Sequence, residues 1–95
     1  MTGYRLRPRA LQDLTDIADF IAADNPGRVV SFMDELTAVC AELAARPRAY
    51  QRRDDLADGL RQAVHGRYLI LFTDDDAGVV IERVVHGARR LDDLL

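Results

Sequence analysis

The last third of the chain decides the fold. It reads Gly59-Leu60-Arg61-Gln62-Ala63-Val64-His65-Gly66-Arg67-Tyr68-Leu69-Ile70-Leu71-Phe72 and resumes, after an Asp/Gly turn, at 79–90. β-Branched and aromatic residues dominate 68–73 and 79–85, and Asp-Asp-Asp-Ala-Gly at 74–78 supplies the loop between them. The pattern predicts two successive hairpins in a small, mostly antiparallel, three- to four-stranded sheet.

Both faces of this predicted sheet are partly apolar. Tyr68, Ile70 and Phe72 point to one face, and the leucines between them point to the other. One pair of helices covers only one face, so the other needs a second cover. The sequence offers two candidates for that role, which are a partner chain or the leucines near its end, Leu91, Leu94 and Leu95.

The N-terminal half predicts a strand and a first helix. Tyr4 to Leu6 is a short strand candidate, and Pro8 follows at a position where a helix can begin. Apolar residues then recur at helical spacing for about four turns. The apolar stripe comprises Ala10, Leu11, Leu14, Ile17, Ala18 and Ile21, and the opposite side carries Gln12, Asp13, Asp16 and Asp19.

A second helix is predicted after a short interruption. Asn25 is placed to cap this helix and Pro26 to occupy its first position. Because the link is so short, the two helices are expected to lie antiparallel. The chain is therefore predicted to be α+β, with 1–95 forming a single domain. The apolar stripe of the second helix ends before Pro47 and comprises Val29, Phe32, Met33, Leu36, Val39, Cys40 and Leu43.

Composition excludes several classes of protein. The 95 residues contain no apolar run long enough to span a membrane and no signal-peptide stretch, so we expect a cytoplasmic protein. The one cysteine, Cys40, cannot form an internal disulfide. Its place in a helical stripe indicates a small core residue rather than a nucleophile. The formal net charge is −3, and all 13 basic residues are arginine.

Motifs for metal, phosphate or nucleophile chemistry are absent from the sequence. It has no zinc-ligand spacing, no glycine-rich phosphate loop and no nucleophile elbow. The aspartates at 54, 55 and 58 and at 74–76 lack the spacing of a calcium loop, and we interpret them as solvated turns. We therefore predict no metal and no cofactor.

Arginine remains as the candidate for function. Arg61, Arg67 and Arg83 lie on predicted strands, and Arg89 and Arg90 follow the last one. Arginine grips phosphate or carboxylate groups through a bidentate fork, but it cannot act as a base. In a small sheet these side chains could meet on one surface, and a solvated rim is the alternative.

The two histidines are weaker candidates. His86 lies at the end of the last strand, where it is either a general acid or base or a histidine bonded to the backbone. His65 lies beside Gly66 at the predicted turn, and we interpret it as structural or solvated.

Six short motifs follow one another along nearly the whole chain. They are Tyr4-x-Leu6-x-Pro8-x-Ala10-x-x-Asp13-Leu14-x-x-Ile17, Phe32-x-x-x-Leu36, Leu43-x-x-x-Pro47, Gly59-Leu60-Arg61, Gly66-Arg67-Tyr68-x-Ile70-x-Phe72 and Arg83-Val84-Val85-His86-Gly87-x-Arg89. In their order and spacing, these motifs together resemble the RelE/ParE superfamily of bacterial toxins. The resemblance implies a helical hairpin packed on a small, mostly antiparallel sheet.

The ending Val85-His86-Gly87-Ala88-Arg89-Arg90 is more similar to the ParE branch. ParE-type toxins are associated with inhibition of DNA gyrase and are not known as enzymes. The resemblance also implies a type II toxin-antitoxin complex, a hetero-oligomer in which a small ParD-like antitoxin wraps the toxin and links it to operator DNA. The implied target-binding residues are Arg61, Arg67, Arg83, His86, Arg89 and Arg90, and the implied antitoxin-binding residues are Leu14, Ile17, Ile21, Tyr68 and Phe72.

Two other functions stay open at this point. RelE-type toxins are ribosome-dependent mRNA endonucleases, in which basic residues hold the phosphate while the RNA's own 2′-hydroxyl attacks it. The net negative charge counts against that activity, because binding to the ribosome favours a basic protein. The ending Leu91-Asp92-Asp93-Leu94-Leu95 also counts against it, because it lacks the tyrosine or histidine that RelE-type nucleases tend to carry there. A non-toxic binding module of an antitoxin complex is the third interpretation. The catalytic candidates for an endonuclease would be Arg61, Arg83, His86 and Arg89.

Overall fold

The computed structural model describes residues 3–87 and shows an α+β fold. The strands form one sheet in the order β1-β5-β4-β3-β2, in which β1 pairs with β5 in parallel and the other pairs are antiparallel. The predicted fold class is confirmed. The elements are β1 (Tyr4–Leu6), α1 (Pro8–Asp24), α2 (Arg28–Ala45), a 3-10 turn (Pro47–Ala49), β2 (Gln51–Arg52), β3 (Arg61–His65), β4 (Tyr68–Asp75) and β5 (Gly78–His86).

Within residues 3–87 the sheet has five strands, which is more than the predicted three to four. A strand that the pattern missed is β2, which pairs with β3 at Gln51↔Gln62 and Arg52↔Arg61. Two residues are too few to show an alternation of polar and apolar side chains, so no periodicity marks them.

The hairpin between β4 and β5 is tighter than predicted. The loop was expected to cover 74–78, but β4 continues through Asp75 and β5 begins at Gly78. Gly78 has a φ of 119°, and a Cβ there would lie 3.1 Å from the carbonyl oxygen of Gly3. The close approach of the chain next to β1 therefore requires glycine at this turn.

The link between the helices also differs from the prediction. Asn25 ends α1, because its backbone N–H donates to the carbonyl of Ile21 at 2.7 Å. α2 then begins at Arg28, so the prediction that Asn25 caps this helix and that Pro26 opens it was wrong. The residues 25–27 instead form the turn, in which the Asn25 carbonyl accepts the N–H of Arg28 at 3.0 Å.

Helices cover one face of the sheet, and a loop covers part of the other. The main core joins both helices to the sheet and includes the fully buried Leu43, Ile70 and Phe72. On the opposite face, Leu56 and Leu60 pack with Leu71 and Val85. The sequence analysis did not anticipate this loop cover. The terminal leucines Leu91, Leu94 and Leu95 lie outside the described residues.

α1 is rotated from the orientation that its apolar stripe predicts. Leu11, placed in that stripe, is 51% exposed, and Asp13, placed on the polar side, is only 4% exposed. Asp13 lies against β5 just beyond the last β1 pair, Leu6↔Ile81, and accepts the backbone N–H of Val84 at 3.0 Å. A carboxylate there replaces a neighbouring strand, which is why a charged side chain is buried. Neither helix in residues 3–87 is long and apolar enough to cross a membrane.

Candidate functional site

The arginines singled out by the sequence do not share one surface. β3 and β4 form a hairpin with Arg61 at one end and Arg67 in the turn at the other. The four steps from Arg61 to His65 alone span about 13 Å. His86 pairs with Tyr68 and therefore lies at the Arg67 end. Arg89 and Arg90 are outside the described residues.

Arg83 belongs to the interior rather than to a target-binding surface. It is 5% exposed, and its guanidinium donates to both carboxylate oxygens of Asp13, from Nε at 2.8 Å and from Nη2 at 3.1 Å. Arg9 lies 3.4 Å from the same carboxylate. The assignment of Arg83 to the target-binding set is corrected accordingly, because a buried guanidinium held by a carboxylate is not accessible to a partner.

Arg61 lies in a hollow with two further arginines. Its Nη1 donates to the backbone carbonyl of Tyr50 at 2.8 Å. Arg52, opposite Arg61 in the β2–β3 pair, forms a bidentate bond to Asp54 at 2.7 and 3.0 Å. That guanidinium, and secondly the N–H of Gly59, lower the pKa of Asp54. We call this the arginine hollow, a space of about 340 Å³ lined by Arg48, Arg52, Gly59, Arg61 and Asp74.

Arg48 and Arg52 are members of this hollow that no sequence pattern predicted. Arg52 reaches it through the two-residue strand β2, and Arg48 through the 3-10 turn just before it. Neither element has a periodicity that reveals it. The usable signal was the arginine density of the segment 46–53 itself.

A more apolar surface lies at the other end of the sheet, around Phe20. The side chain of Phe20 is 73% exposed on α1. On one side of it lies a groove of about 340 Å³ whose apolar lining includes Ile17, Tyr68 and Val85. On the other side lies a groove of about 420 Å³ whose lining includes Ile21 and Tyr68. These two grooves, which share Phe20 and Tyr68, are called the Phe20 surface below.

The predicted antitoxin-binding residues divide between this surface and the core. Ile17, Ile21 and Tyr68 line its grooves. Leu14 instead lines a small internal space of about 60 Å³ between the helices and the sheet. Phe72 is fully buried, with its ring 5.7 Å from that of Tyr50, so its assignment to a binding surface was wrong. Phe72 takes the helix-covered side of β4, where no partner can reach it.

Phe20 itself was missed by the sequence analysis. It falls between the stripe positions 17 and 21, so a helical wheel places it at the margin of the apolar face. The usable signal was a large aromatic residue next to a row of aspartates, where a solvated helix face normally carries small or polar residues.

Tyr68 is held in place by its neighbours. Its ring lies edge-on to Phe32 at 5.3 Å and to His86 at 5.6 Å, both measured between ring centroids. Phe32 is itself covered by the guanidinium of Arg28 at 5.5 Å. Such pairs fix the orientation of an aromatic side chain before any partner arrives.

Glu35 links α2 to β3 near the ring of Phe32. Its carboxylate accepts hydrogen bonds from both terminal nitrogens of Arg28 and lies 2.9 Å from Nε2 of His65. The hydrogen bonds from Arg28 and then from His65 lower the pKa of Glu35 to about 2. The side chain is therefore ionised throughout the neutral range, and it joins α2 to β3 through His65.

Metal and thiol chemistry find no support in the described region. Within residues 3–87, no three His, Cys, Asp or Glu side chains converge as metal ligands would. Cys40 is buried in the core, as its place in the helical stripe indicates, and burial raises the pKa of its thiol to about 11. A thiol with that pKa remains protonated and unreactive at neutral pH.

Comparison with known proteins gives one family and one fold. The family model described as "ParE toxin of type II toxin-antitoxin system, parDE" matches residues 4–91. Among solved structures, the chain is similar to a chain of the "Chromosomal ParDE TA system from P. aeruginosa", with a TM-score of 0.76. The two chains are 16% identical, and the match covers 90% of this chain and 96% of that one, so the likeness is one of fold.

A comparison with curated proteins finds no match. The family assignment therefore depends on the family model, which spans both helices and all five strands. On that match, the chain belongs to the ParE toxin family of type II toxin-antitoxin systems.

Proposed function

We propose that this chain is a toxin that a small ParD-like antitoxin neutralises by binding the Phe20 surface, and that the free toxin arrests growth by inhibiting DNA gyrase. The observation that carries the antitoxin part is the exposed ring of Phe20 between two grooves. Exposed aromatic side chains beside preformed grooves are typical anchors of protein interfaces. Tyr68, already fixed by Phe32 and His86, supplies a second anchor.

Membership of the ParE family supports the gyrase part of the proposal. We assign target binding to the arginine hollow, because its guanidinium groups suit carboxylates on a protein partner. The hollow lies at the opposite end of the β3–β4 hairpin from Arg67 and the Phe20 surface. Target and antitoxin would then bind different ends of the sheet. The net charge of −3 disfavours direct binding to operator DNA, which the antitoxin would contact.

The endonuclease alternative is weakened by the arrangement of its candidate residues. Arg83 is engaged by Asp13 in the interior, and Arg61 and His86 lie at opposite ends of the sheet. Phosphoryl chemistry needs charged groups that converge on one phosphate. Arg89 lies outside the described residues.

Pulse labelling of DNA and protein synthesis in the minutes after induction of the chain alone tests this proposal. We expect DNA synthesis to stop first, and purified chain to inhibit gyrase supercoiling in vitro. An earlier stop in protein synthesis would favour mRNA cleavage. No arrest of either would favour the non-toxic binding module. Co-expression of a cognate ParD-like antitoxin should restore growth.

Substitution in the arginine hollow tests the target surface. Arg61→Ala should keep the fold and weaken gyrase inhibition by about tenfold, because a multiply bonded guanidinium at an interface contributes on that scale. Arg5→Ala is the matched control, since Arg5 lies on β1 at the opposite edge of the sheet from β2, and its exposed side chain pairs with Asp75 at 3.3 Å. Equal inhibition by wild type and Arg61→Ala would place the target surface elsewhere.

A further inference from the structure

A row of three exposed residues crosses the Phe20 surface. Asp16, Phe20 and Asp24 are spaced four residues apart on α1, so their side chains follow one line along the helix. Asp16 lines the first groove and Asp24 lines the second. The exposed ring therefore has a carboxylate one turn before it and another one turn after it.

The carboxylates of this row lack cationic partners within residues 3–87. Asp16 accepts a hydrogen bond from the side-chain amide of Gln12 at 2.9 Å, and neither aspartate of the row forms an ion pair there. Some acids elsewhere on the described surface are paired, since Glu35, Asp54, Asp55, Asp75 and Glu82 each lie within ion-pair distance of an arginine. Asp19, Asp34, Asp58, Asp74 and Asp76 also form no ion pair there, so the row is set apart by its place on either side of the exposed Phe20 ring.

Covering this row with a purely apolar partner would be unfavourable. A partner that buries the ring of Phe20 also removes water from the carboxylates beside it, and that desolvation must be compensated by opposite charge. An acidic partner would add repulsion. We propose that the antitoxin segment on the Phe20 surface presents arginine or lysine to Asp16 and Asp24, on either side of an apolar side chain that packs on Phe20.

This inference rests on the proposed antitoxin site and adds the chemistry of its occupant. The two grooves also differ in charge, and this difference indicates how the antitoxin segment is oriented. Arg28 and Arg67 line the second groove together with Asp24, whereas the first groove has Asp13 and Asp16 but no arginine among its described lining residues. An acidic side chain of the antitoxin is therefore accommodated only in the second groove.

The test measures association of the purified chain with its cognate ParD-like antitoxin, at 50 and 500 mM salt. The double variant Asp16→Asn/Asp24→Asn should bind about tenfold more weakly at low salt, because two exposed charge pairs together contribute on that scale. The loss should lie mainly in the association rate and should largely disappear at high salt. The double variant Asp19→Asn/Asp34→Asn removes the same charge from exposed positions off the row, and it should bind like wild type.

The outcomes separate this inference from the proposal beneath it. Equal effects of the two double variants, or no effect of either, overturn the inference. If Phe20→Ala also binds like wild type, the antitoxin site itself is misplaced. If Phe20→Ala weakens binding and the row variant does not, only the charge inference fails. Self-association of the chain alone, abolished by Phe20→Ala, would assign the surface to a second copy and overturn it.

Discussion

Asp13 and Phe20 lie on the same helix, seven residues and about two turns apart, so they point in nearly the same direction. The charged residue is nevertheless 4% exposed, and the aromatic one is 73% exposed. The difference arises from β5, whose edge lies against Asp13 and supplies Arg83 and the N–H of Val84 as donors. Whether one of these two side chains is buried thus depends on contact with β5, and not on its hydrophobicity.

The two positions accordingly have different consequences. Within residues 3–87 every buried side-chain nitrogen and oxygen has a hydrogen-bond partner, so the Asp13–Arg83 pair is fully satisfied and structural. The exposed ring of Phe20 contributes little to folding and is available to a partner. Substitutions at the two sites should therefore affect different properties.

The largest effect is expected from Asp13→Ala. Removal of the carboxylate leaves a buried guanidinium and a strand-edge N–H without their acceptor, which should lower the free energy of unfolding by about 3–5 kcal/mol. Urea denaturation measures the change. Asp19→Ala, an exposed site on the same helix, is the control and should change stability by less than about 0.5 kcal/mol. Equal stability of the two variants would show that the buried pair contributes nothing.

Phe20→Ala should leave stability nearly unchanged and should weaken antitoxin binding. Its free energy of unfolding should stay within about 0.5 kcal/mol of wild type, while antitoxin affinity falls by about tenfold or more. Phe72→Ala provides the contrast, because loss of that fully buried ring should cost about 3–5 kcal/mol. A strongly destabilised Phe20→Ala variant would mean that the ring packs within the chain and is no docking site.

A smaller effect is expected at Glu35, which bonds to Arg28 on α2 and to His65 on β3. Its pKa is lowered in the folded state from 4.5 to about 2, so its ionised form stabilises the fold above pH 4.5. That contribution should disappear as the pH falls from about 4.5 toward 2. The stability difference between wild type and Glu35→Gln, measured by denaturation at several pH values, should shrink over this window. A difference that stays constant would contradict the assignment.

The sequence predicted which residues form helices and strands better than it predicted what each side chain packs against. The strands around 61–65, 68–75 and 78–86 and both helices follow from periodicity, because burial of one face imposes it on a whole element. Asp13 and Phe72 were misplaced because their environment depends on which strand edge or helix lies beside them. The arginines were grouped together because strand membership is visible in a sequence, whereas position along a hairpin depends on register.

The parallel pairing of β1 with β5 also determines when the toxin can fold during its synthesis. Tyr4 pairs with Val79, and Asp13 bonds to Arg83 across 70 positions of the chain. Such distant contacts close large loops, and the entropy of closing them opposes their formation. α1 consequently has no strand edge to dock on until β5, at 78–86, has been synthesised. Translation products that end before β5 lack the finished sheet and with it the groove that α1 and β5 form beside Phe20.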